Sequence, residues 1–556
     1  MPQINVSFGD NFRDIREDKS YYVDKTGLIE ELLQRVPPTV SLFTRPRRFG
    51  KTLTLSMLRE FFDISKDSRS LFDGLCVANN TDICNNWMNQ YPVISISFKD
   101  IDVSSHEEAI KSLVNIVQEI MFQHAYLLHS DKVSPFDKET LFEFSKGNSQ
   151  IPQFKIFIRV ICRALECHWN KKVIVLIDEY DSPINKSSGT KSYDEITVIF
   201  RTLLSSSLKD NPSLKFAILT GCLYIAKESF FSGVNNFKCF SVSNYSFSDK
   251  FGFTSSEVDK FLQVAGFQDK KNLIKEWFDG YIFGKATEVF CPWDVVQYIY
   301  DLQENSDAIP MAYWKNSSDN AIVRSILEQS TFDIRSKIEE LVHGNFIEVE
   351  ISENLSFSEL QTNTNSIWTI FYSSGYLTKT LTKIEGTTTS LVIPNKEVNT
   401  IFIETITSWF KVVVHANILP LLDALWKGDV KTVHEKLNDI LVKAISYYDS
   451  AENFYHGFMT GLFSATDLQV RSNRESGDGR PDVVVTDRKG RSLVFELKRA
   501  ESEAALDAEA REALAQATGK RYAEGLYATQ ETLRYGISFW KKRCAVRMLG
   551  EAGIGA

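Results

Sequence analysis

Short apolar runs alternate with longer amphipathic segments along roughly the first 240 residues. The runs are rich in β-branched residues and predict strands, whereas the longer segments carry apolar residues at helical spacing. The predicted strands are 39–43, 91–96, 173–177 and 214–220. The third of them, Val-Ile-Val-Leu-Ile, has no polar interruption, which is typical of a strand covered on both faces. The alternation predicts a parallel α/β sheet.

The pattern changes after this region. It is mostly helical from about 245 to 345, polar and linker-like at 352–366, strand-like at 367–393 with a turn at 385–386, and helical again from about 397 to 465, before a short α/β unit closes the chain. We therefore predict three parts. They are an N-terminal α/β domain at 1–244, a mainly helical lid or linker region at 245–440, and a C-terminal α/β domain at 441–556.

Composition narrows the class of protein. The chain has 556 residues, of which 43% are hydrophobic and 24% charged, so it exceeds one ordinary core and is of globular type. Its eight cysteines are scattered singly, without a Cys-x-x-Cys pair, which argues against a disulfide scaffold and against a structural zinc site. No apolar run approaches the roughly 18 residues of a membrane span, and the N-terminus lacks a signal-peptide layout. We expect a cytoplasmic protein without a membrane partner.

The formal net charge of −9 is unevenly distributed. Residues 471–556 hold 16 Lys and Arg against 13 Asp and Glu, a net charge of +3, which leaves −12 for the remainder. Five arginines of this segment could follow a phosphate backbone, and they are Arg471, Arg474, Arg480, Arg491 and Arg499. A solvated basic face is the alternative interpretation.

The segment after the first predicted strand has the context of a phosphate-binding loop. Residues 44–52 read Thr-Arg-Pro-Arg-Arg-Phe-Gly-Lys-Thr and lead from strand into helix, where backbone N–H groups can cradle phosphate oxygens. Lys51 is expected to reach the β- and γ-phosphates, and Thr52 to hold Mg²⁺ through its hydroxyl. Gly50 permits close backbone approach. An ordinary strand–turn–helix joint with a basic surface is the alternative.

Two acidic residues follow the strand 173–177 at its carboxyl end. Asp178 is predicted to bind Mg²⁺, and Glu179 to polarise the attacking water. A solvated acidic turn would explain this pair alone. Combined with Lys51 and Thr52 at a plausible separation, the pair indicates ATP and Mg²⁺ as ligands.

Further polar side chains near these segments carry weaker signals. Thr220 ends the strand 214–220 and is predicted to sense the γ-phosphate, although a threonine there is commonly a turn residue. Arg45 replaces the first glycine of the pattern G-x-x-x-x-G-K-[ST] and is expected to add charge toward phosphate. Arg47 and Arg48 are expected to contact phosphate or a neighbouring subunit, with exposed solubilising charge as the alternative.

Four segments together resemble the AAA-ATPase-like family. They are 21–62, VLIDEYDSPI at 175–184, ESFFSGVNNF at 228–237 and FGFTSSEV at 251–258. The resemblance includes the form Arg-Pro-Arg-Arg-Phe-Gly-Lys-Thr of the loop, so Arg45 is expected in this family. It implies an ATP-binding and ATP-hydrolysing domain that typically precedes a PD-(D/E)XK nuclease-superfamily domain. Tyr224 is a departure, because the resemblance implies an arginine there.

A predicted hairpin near the C-terminus carries a second candidate chemistry. Two strand-like runs, 481–486 and 491–498, flank an Asp-Arg-Lys-Gly turn. Glu496 and Lys498 share one face because strand side chains alternate, and Asp482 can lie across from them. Asp482 and Glu496 are expected to bind Mg²⁺ or Mn²⁺, and Lys498 is expected either to orient the attacking water or to stabilise the transition state of phosphodiester hydrolysis. A surface salt-bridge cluster is the alternative.

Helices on both sides of this hairpin extend the pattern. Glu452 lies on a predicted helix, with His456 one turn later on the same side, although a histidine there is more often a satisfied helix residue than a ligand. Gln516 lies on a downstream helix at about 501–524. The order helix-Glu, Pro-Asp, Glu-x-Lys, helix-Gln over 445–548 resembles the PD-(D/E)XK nuclease superfamily. The resemblance implies that Glu452 is a further metal ligand and that Gln516 belongs to the site.

The two motifs together predict an α/β protein that is an ATP-regulated DNA endonuclease, with ATP and DNA as partners and a homo-oligomer as a further possibility. In the alternative, the protein is a nucleotide-switched signalling or DNA-binding protein whose nuclease-like fold is a recognition platform. A helicase or translocase is a weaker hypothesis, since the sequence lacks the aromatic and basic motifs that track single strands.

Overall fold

The computed structural model describes residues 4–34, 37–147, 151–188, 190–224, 237–316, 332–342, 344–352, 364–381, 388–444, 452–464, 466, 468–472, 482–487, 490–519 and 532–549. The chain divides into two compact units, of which the first comprises Met1–Asn320 with Glu340–Ile401 and the second Ala321–Glu339 with Phe402–Ala556. Within the described ranges, no helix is both long and apolar enough to cross a lipid bilayer.

The first unit is built on a parallel sheet, which has five strands in the described part of the chain. The strands are β1 (Val40–Thr44), β2 (Val93–Ser97), β3 (Val173–Asp178), β4 (Leu214–Gly221) and β5 (Phe237–Phe240). Their order in the sheet is β2-β3-β4-β1-β5, and all neighbours are parallel. The predicted parallel α/β sheet is confirmed.

Helices cover both faces of this sheet. They are α1 (Phe12–Glu17), α2 (Gly27–Leu33), α3 (Lys51–Phe62), α4 (Thr81–Trp87), α5 (His106–Gln123), α6 (Pro135–Ser145), α7 (Ile151–Trp169), α8 (Ser182–Ser187) and α9 (Tyr193–Leu208). Alternate residues of β3 point to opposite layers. Val175 and Ile177 pack in a core with α5 to α9, whereas Ile174 and Leu176 pack in a core with α1 to α4. Burial on both faces explains the uninterrupted apolar run of this strand.

Two small antiparallel sheets and further helices follow in the chain. The first sheet has the order β6-β8-β7, from β6 (Phe253–Thr254), β7 (Tyr281–Phe283) and β8 (Ala286–Phe290), and the second has the order β10-β11-β9, from β9 (Ile347–Glu350), β10 (Thr378–Lys379) and β11 (Thr388–Val392). The helices are α10 (Ser255–Ala265), α11 (Lys271–Phe278), α12 (Pro292–Glu304), α13 (Phe332–Val342), α14 (Thr364–Ser374) and α15 (Lys396–Lys427).

The expectation of strand structure throughout 367–393 is partly wrong, because the first third of that segment continues helix α14. Its aromatic and β-branched residues favour a strand by propensity. Trp368, Phe371 and Tyr372 are nonetheless buried on the helix, so tertiary packing overrides the local preference. The turn expected at 385–386 lies outside the described residues.

The second unit carries a mixed sheet of five described strands. It combines α16 (Val430–Ala444), α17 (Glu452–Ser464) and α18 (Leu506–Gly519) with β12 (Gln469–Ser472), β13 (Val483–Thr486), β14 (Ser492–Arg499), β15 (Thr532–Trp540) and β16 (Arg543–Leu549). The strand order follows the chain, and β14 and β15 are the parallel pair. Helix α18 approaches β15 closely at Gly536. A Cβ built there would lie 2.2 Å from the backbone nitrogen of Leu514.

Candidate functional site

The loop between β1 and α3 encloses its own lysine. Gly50 precedes α3 in the left-handed region, with φ +79, and a Cβ there would meet no atom within 4 Å, so the backbone angle and not crowding favours glycine. The Lys51 ammonium is buried and donates to the carbonyl oxygens of Arg45 at 3.0 Å and Pro46 at 2.8 Å. The cation therefore lies within the loop, at the N-terminus of a helix of 12 residues.

Three of the predicted residues meet at the carboxyl edge of the sheet. The Thr52 hydroxyl donates to Asp178 Oδ2 at 2.6 Å, and the Thr220 hydroxyl donates to Asp178 Oδ1 at 2.5 Å. The parallel register explains the meeting, because it aligns the carboxyl ends of β3 and β4 beside the end of β1. Asp178 is 6% exposed and Thr220 fully buried, so this carboxylate is held in one orientation.

Glu179 lies directly beyond Asp178 in a constrained backbone conformation. Its φ is +49, which is uncommon for a residue with a side chain and occurs often at functional sites. Burial raises the pKa of Glu179, the negative charges of Asp178 and Asp181 raise it further, and Lys51 opposes the shift. A carboxylate with a raised pKa is suited to accept a proton.

Arg45 has a different environment from the one its charge suggested. Its side chain is fully buried and donates to the carbonyl oxygens of Thr44, Phe240 and Phe247 at 2.7–3.1 Å. The guanidinium also lies 4.9 Å from the ring centre of Phe251. Burial lowers the pKa of Arg45 to about 10. This geometry fits support of the loop from inside the protein and does not fit the expected contact with phosphate.

The other two arginines of the loop differ from each other. Arg47 is half-buried, and the charges of Asp181 and Glu179 are among those that act on it. Arg48 lies over the ring of Trp293, with 4.2 Å from its guanidinium carbon to the ring centre. Of the two, Arg47 is the one whose charge interacts with the acidic residues that follow β3.

The residues after β4 are ordered by Asp181, which the sequence interpretation did not single out. Asp181 Oδ2 accepts the backbone N–H groups of Cys222 at 3.0 Å and Leu223 at 2.9 Å. A Cβ built on Gly221 would lie 2.6 Å from Asp181 Oδ1, so only glycine permits this approach. Tyr224, the departure from the family pattern, is half-buried and stacks on Phe237. The Asp-x-x-Asp spacing after β3 was the available signal for Asp181.

The second candidate site lies at the end of the β13–β14 ladder. Val483 pairs with Phe495 in antiparallel register, so Asp482 and Glu496 stand opposite each other one position further on. Opposed residues project from the same face of a sheet. Asp482 Oδ2 accepts the backbone N–H of Leu497 at 2.8 Å, and Glu496 is 6% exposed. The two predicted carboxylates are thus neighbours.

Lys498 lies on the same face of β14 and pairs with acidic residues of α18. Its ammonium forms an ion pair with Glu512 and lies 4.0 Å from Glu509. Gln516 Nε2 is 3.5 Å from Glu512 Oε1, so the predicted glutamine lies in the same group. The sequence interpretation missed Glu512, although its spacing from Glu509 and Gln516 places all three on one helix face.

The helix before the hairpin contacts this site through His456. Its Nε2 lies 2.8 Å from the carbonyl oxygen of Asp482, and since a carbonyl only accepts, Nε2 carries the proton. The histidine therefore supports the backbone at Asp482. Glu452 begins α17, but its side chain lies outside the described residues, and the predicted third carboxylate stays a prediction.

The basic residues near this site are partly neutralised by their own neighbours. Arg491 pairs with Asp487 at 2.9 Å and covers the ring of Trp426. Arg471 and Arg499 are exposed. Arg474 and Arg480 lie outside the described residues.

Both sites offer oxygen ligands of the kind that Mg²⁺ prefers. Across the described side chains, no group of three or more His, Cys, Asp or Glu has a metal-binding arrangement. The donors present are a hydroxyl and a carboxylate in the first site, Thr52 and Asp178, and two carboxylates in the second, Asp482 and Glu496. These hard oxygen donors fit Mg²⁺ or Mn²⁺ and do not fit a soft metal.

Comparison with known proteins matches each of the two sites to a different family model. Residues 9–231 match the family model for the AAA-ATPase-like family, described as a predicted AAA-ATPase, and residues 450–548 match the model for the PD-(D/E)XK nuclease superfamily. The chain is 30% identical over 293 residues to an "Uncharacterized protein in vnfD 5'region" of Azotobacter chroococcum mcd 1. That match covers 51% of this chain, and the chain spans about half, 49%, of the relative. The protein therefore carries an N-terminal domain of the AAA-ATPase-like family and a C-terminal domain of the PD-(D/E)XK nuclease superfamily.

Proposed function

We propose that this protein binds and hydrolyses ATP at the loop 44–52 and cleaves DNA with its C-terminal domain, under control by ATP. The observation that carries the proposal is that the members of each polar set lie next to one another within their own unit. Thr52, Asp178 and Thr220 form one hydrogen-bonded group, and Asp482 stands opposite Glu496 in the other.

In the first site, the backbone N–H groups at the start of α3 and the Lys51 ammonium would bind the phosphates of ATP. Thr52 and Asp178 would hold Mg²⁺, which when bound offsets the negative charge of the phosphates. Glu179 would accept a proton from the attacking water, a role that its raised pKa supports. Thr220 keeps the Asp178 carboxylate oriented throughout.

In the second site, Asp482 and Glu496 would hold Mg²⁺ or Mn²⁺, which supplies an activated water and charge neutralisation. The Leu497 N–H and the backbone support from His456 fix Asp482 in place. Lys498 would donate to the phosphate oxygen on which charge develops. Its partner Glu512 must release it for that contact.

A nucleotide-switched binding protein is the second candidate. The ion pair of Lys498 with Glu512 favours it, as does the neutralisation of Arg491 by Asp487, because both withdraw positive charge from the face that would meet DNA. In this case the nuclease-like domain binds DNA or another partner without cutting it.

One experiment separates the two candidates. Purified protein is incubated with linear and with circular DNA, with and without ATP, in Mg²⁺ and in Mn²⁺, and the products are resolved by electrophoresis. We expect metal-dependent cleavage that changes with ATP and disappears in Asp482→Ala. Asp423→Ala, which alters an exposed acid of α15, serves as the matched control. Cleavage that persists in Asp482→Ala would exclude this site, and metal-dependent DNA binding without cleavage by the wild type would favour the second candidate.

A further inference from the structure

The turn that carries Glu179 is hydrogen-bonded to the carboxyl end of β4 on both sides of that residue. On one side, the Thr220 hydroxyl donates to Asp178 Oδ1. On the other side, the Tyr180 backbone N–H donates to the Thr220 carbonyl oxygen at 3.0 Å. Residues 178–181, here called the acidic turn, are thus joined to β4 directly before and directly after Glu179.

Asp181 and Tyr180 continue this attachment past the end of the strand. Asp181 Oδ2 accepts the backbone N–H groups of Cys222 at 3.0 Å and Leu223 at 2.9 Å. The Tyr180 hydroxyl donates to the Leu223 carbonyl oxygen at 2.7 Å. Asp181 is 2% exposed and Tyr180 is fully buried. Because water has little access to these groups, a partner that is removed is not replaced, and the bonds are costly to lose.

The direction of the Asp181 side chain departs from local preference. Asp181 occupies the N-cap of α8, where an aspartate commonly accepts an N–H group from the first turn of its own helix. Its side chain makes no such capping bond. The carboxylate approaches the end of β4 so closely that a Cβ built on Gly221 would lie 2.6 Å from Asp181 Oδ1. The side chain therefore joins two distant parts of the chain and does not serve its own helix.

The backbone at Glu179 depends on support of this kind. Its φ of +49 is uncommon for a residue with a side chain, and such conformations persist where surrounding contacts fix them. The Ser182 N–H donates to the Glu179 carbonyl oxygen at 3.0 Å, which closes the turn from within. The bonds from Tyr180 and Asp181 to the segment 222–223 hold the same turn from outside. Without them the turn can relax, and the Glu179 carboxylate moves with it.

We propose that Asp181 is a positioning residue for ATP hydrolysis. By holding the N–H groups of Cys222 and Leu223, it fixes the acidic turn against β4, and with the turn the Glu179 carboxylate. Asp181 acts through Glu179 and makes no contact with the nucleotide. The proposal rests on the proposed function, in which Glu179 accepts the proton of the attacking water.

Two substitutions at Asp181 separate its hydrogen bonds from its charge. Asp181→Ala removes the bonds and should lower kcat for ATP hydrolysis at least about tenfold, because a displaced base is no longer aligned with the water. The Kd for nucleotide should stay within about threefold of the wild type, since the groups that bind the phosphates are kept. Asp181→Asn should keep kcat within about threefold of the wild type, because an amide oxygen also accepts two N–H groups.

A third substitution tests the acidic turn from the neighbouring residue. Tyr180→Phe removes the bond to the Leu223 carbonyl oxygen and leaves the carboxylate of Asp181 in place. We expect kcat to fall by about three- to tenfold, with Kd unchanged, because one of the bonds that hold the turn is lost.

The test measures Kd by calorimetry with a non-hydrolysable ATP analogue in Mg²⁺, and kcat by phosphate release at saturating ATP, on the full chain. Asp137→Ala is the matched control. Asp137 is another buried aspartate of the first unit, at 3% exposure, and it forms an ion pair with Arg163. Its loss should lower the melting temperature and leave kcat and Kd unchanged, so a general loss of stability is distinguished from a displaced base.

Each contrary outcome has its own meaning. If the wild type hydrolyses ATP and Asp181→Ala does so at the same rate, the positioning role is overturned and the ATP site stands. Asp181→Asn as slow as Asp181→Ala would also overturn it, since charge would then be the cause, as would a Kd that rises in Asp181→Ala as much as kcat falls. Should circular dichroism show that Asp181→Ala is unfolded, Tyr180→Phe decides, and a wild-type kcat there overturns the role. A wild type that does not hydrolyse ATP overturns the proposed function and this inference with it.

Discussion

The two candidate sites differ in how far apart their parts lie along the chain. The first joins Thr52, at the start of helix α3, with Asp178 and Thr220, which lie at the carboxyl ends of strands β3 and β4. The second takes Asp482, Glu496 and Lys498 from one hairpin. The first therefore depends on the whole sheet for its geometry, whereas the second depends on a local ladder and the helices beside it.

Burial differs in the same direction. Asp178, Thr220 and Lys51 are at most 7% exposed. The side chains of Lys498 and its partner Glu512 are 19% and 58% exposed. A change in the first site should thus affect both activity and stability. A change at Lys498 in the second should affect activity with little loss of stability, whereas Glu496, at 6% exposure, is as buried as Asp178.

The largest expected effect is on ATP turnover. Lys51→Ala should reduce it by about a thousandfold, because the cation that offsets phosphate charge is lost. DNA cleavage measured without ATP should stay at the wild-type level. Phosphate release is the assay, with Lys215→Ala, an exposed lysine of β4, as the control. Normal turnover in Lys51→Ala would mean that hydrolysis occurs elsewhere.

The second prediction tests the contrast in stability directly. Asp178→Ala should lower the free energy of unfolding by about 2 kcal/mol, because the buried Thr220 hydroxyl loses its acceptor. Asp482→Ala should cost less, although it too removes an acceptor, since Asp482 is half-buried. Chemical denaturation monitored by tryptophan fluorescence measures both. Equal losses would remove the contrast between the two sites.

A third prediction concerns another buried acid of the first unit. Burial raises the pKa of Asp279 to about 6, so the folded protein holds this proton more tightly than the unfolded chain does. Its favourable contribution is complete below pH 4 and is lost as the pH rises through about 6. Asp279→Asn should therefore be more stable than the wild type at pH 8, by up to about 2 kcal/mol, and equal to it near pH 4.

Denaturation at both pH values measures this difference, and Asp73→Asn, at an exposed position, is the matched control. A gain in Asp279→Asn that is the same at pH 4 and pH 8 would show that titration of Asp279 is not its source.

The smallest expected effect is at the ion pair of the second site. Glu512→Gln should change the rate of DNA cleavage by about three- to tenfold with little change in melting temperature, since exposed pairs contribute roughly 0–1 kcal/mol. A faster variant would indicate that Glu512 restrains Lys498, and a slower one that Glu512 orients it. Glu503→Gln, in the exposed pair with Arg543, is the control, and a rate equal to the wild type would assign Glu512 no role.

The sequence predicted best the elements and residue positions that depend on short stretches of the chain. Strand β3 and the position of Asp178 at its end follow from an apolar run. The positions of Lys51 and Thr52 at the start of a helix follow from the loop motif, because backbone geometry in such units varies little. The register opposing Asp482 to Glu496 follows from strand alternation and the turn between them.

What the sequence did not predict depends on tertiary contacts. The direction of Arg45 is set by carbonyl groups of Phe240 and Phe247, about two hundred residues away. The ion pair of Lys498 with Glu512 depends on where α18 packs. Helix α14 forms from residues with strand propensity because its aromatic side chains are buried. The domain boundaries stay a prediction.

The position of β1 in the sheet also constrains how the protein is made. β1 pairs with β4 and β5, which are translated long after it, and the neighbouring pair β2 and β3 adjoins β4. About 170 further residues must therefore be synthesised before β1 can pair with β4, and about 190 before it can pair with β5, because β1 ends at residue 44 and these strands begin at residues 214 and 237. The hairpin of Asp482 needs fewer than twenty residues to close. The ladder of the second site thus joins segments that are close in the chain, whereas the first site requires strands from its whole domain.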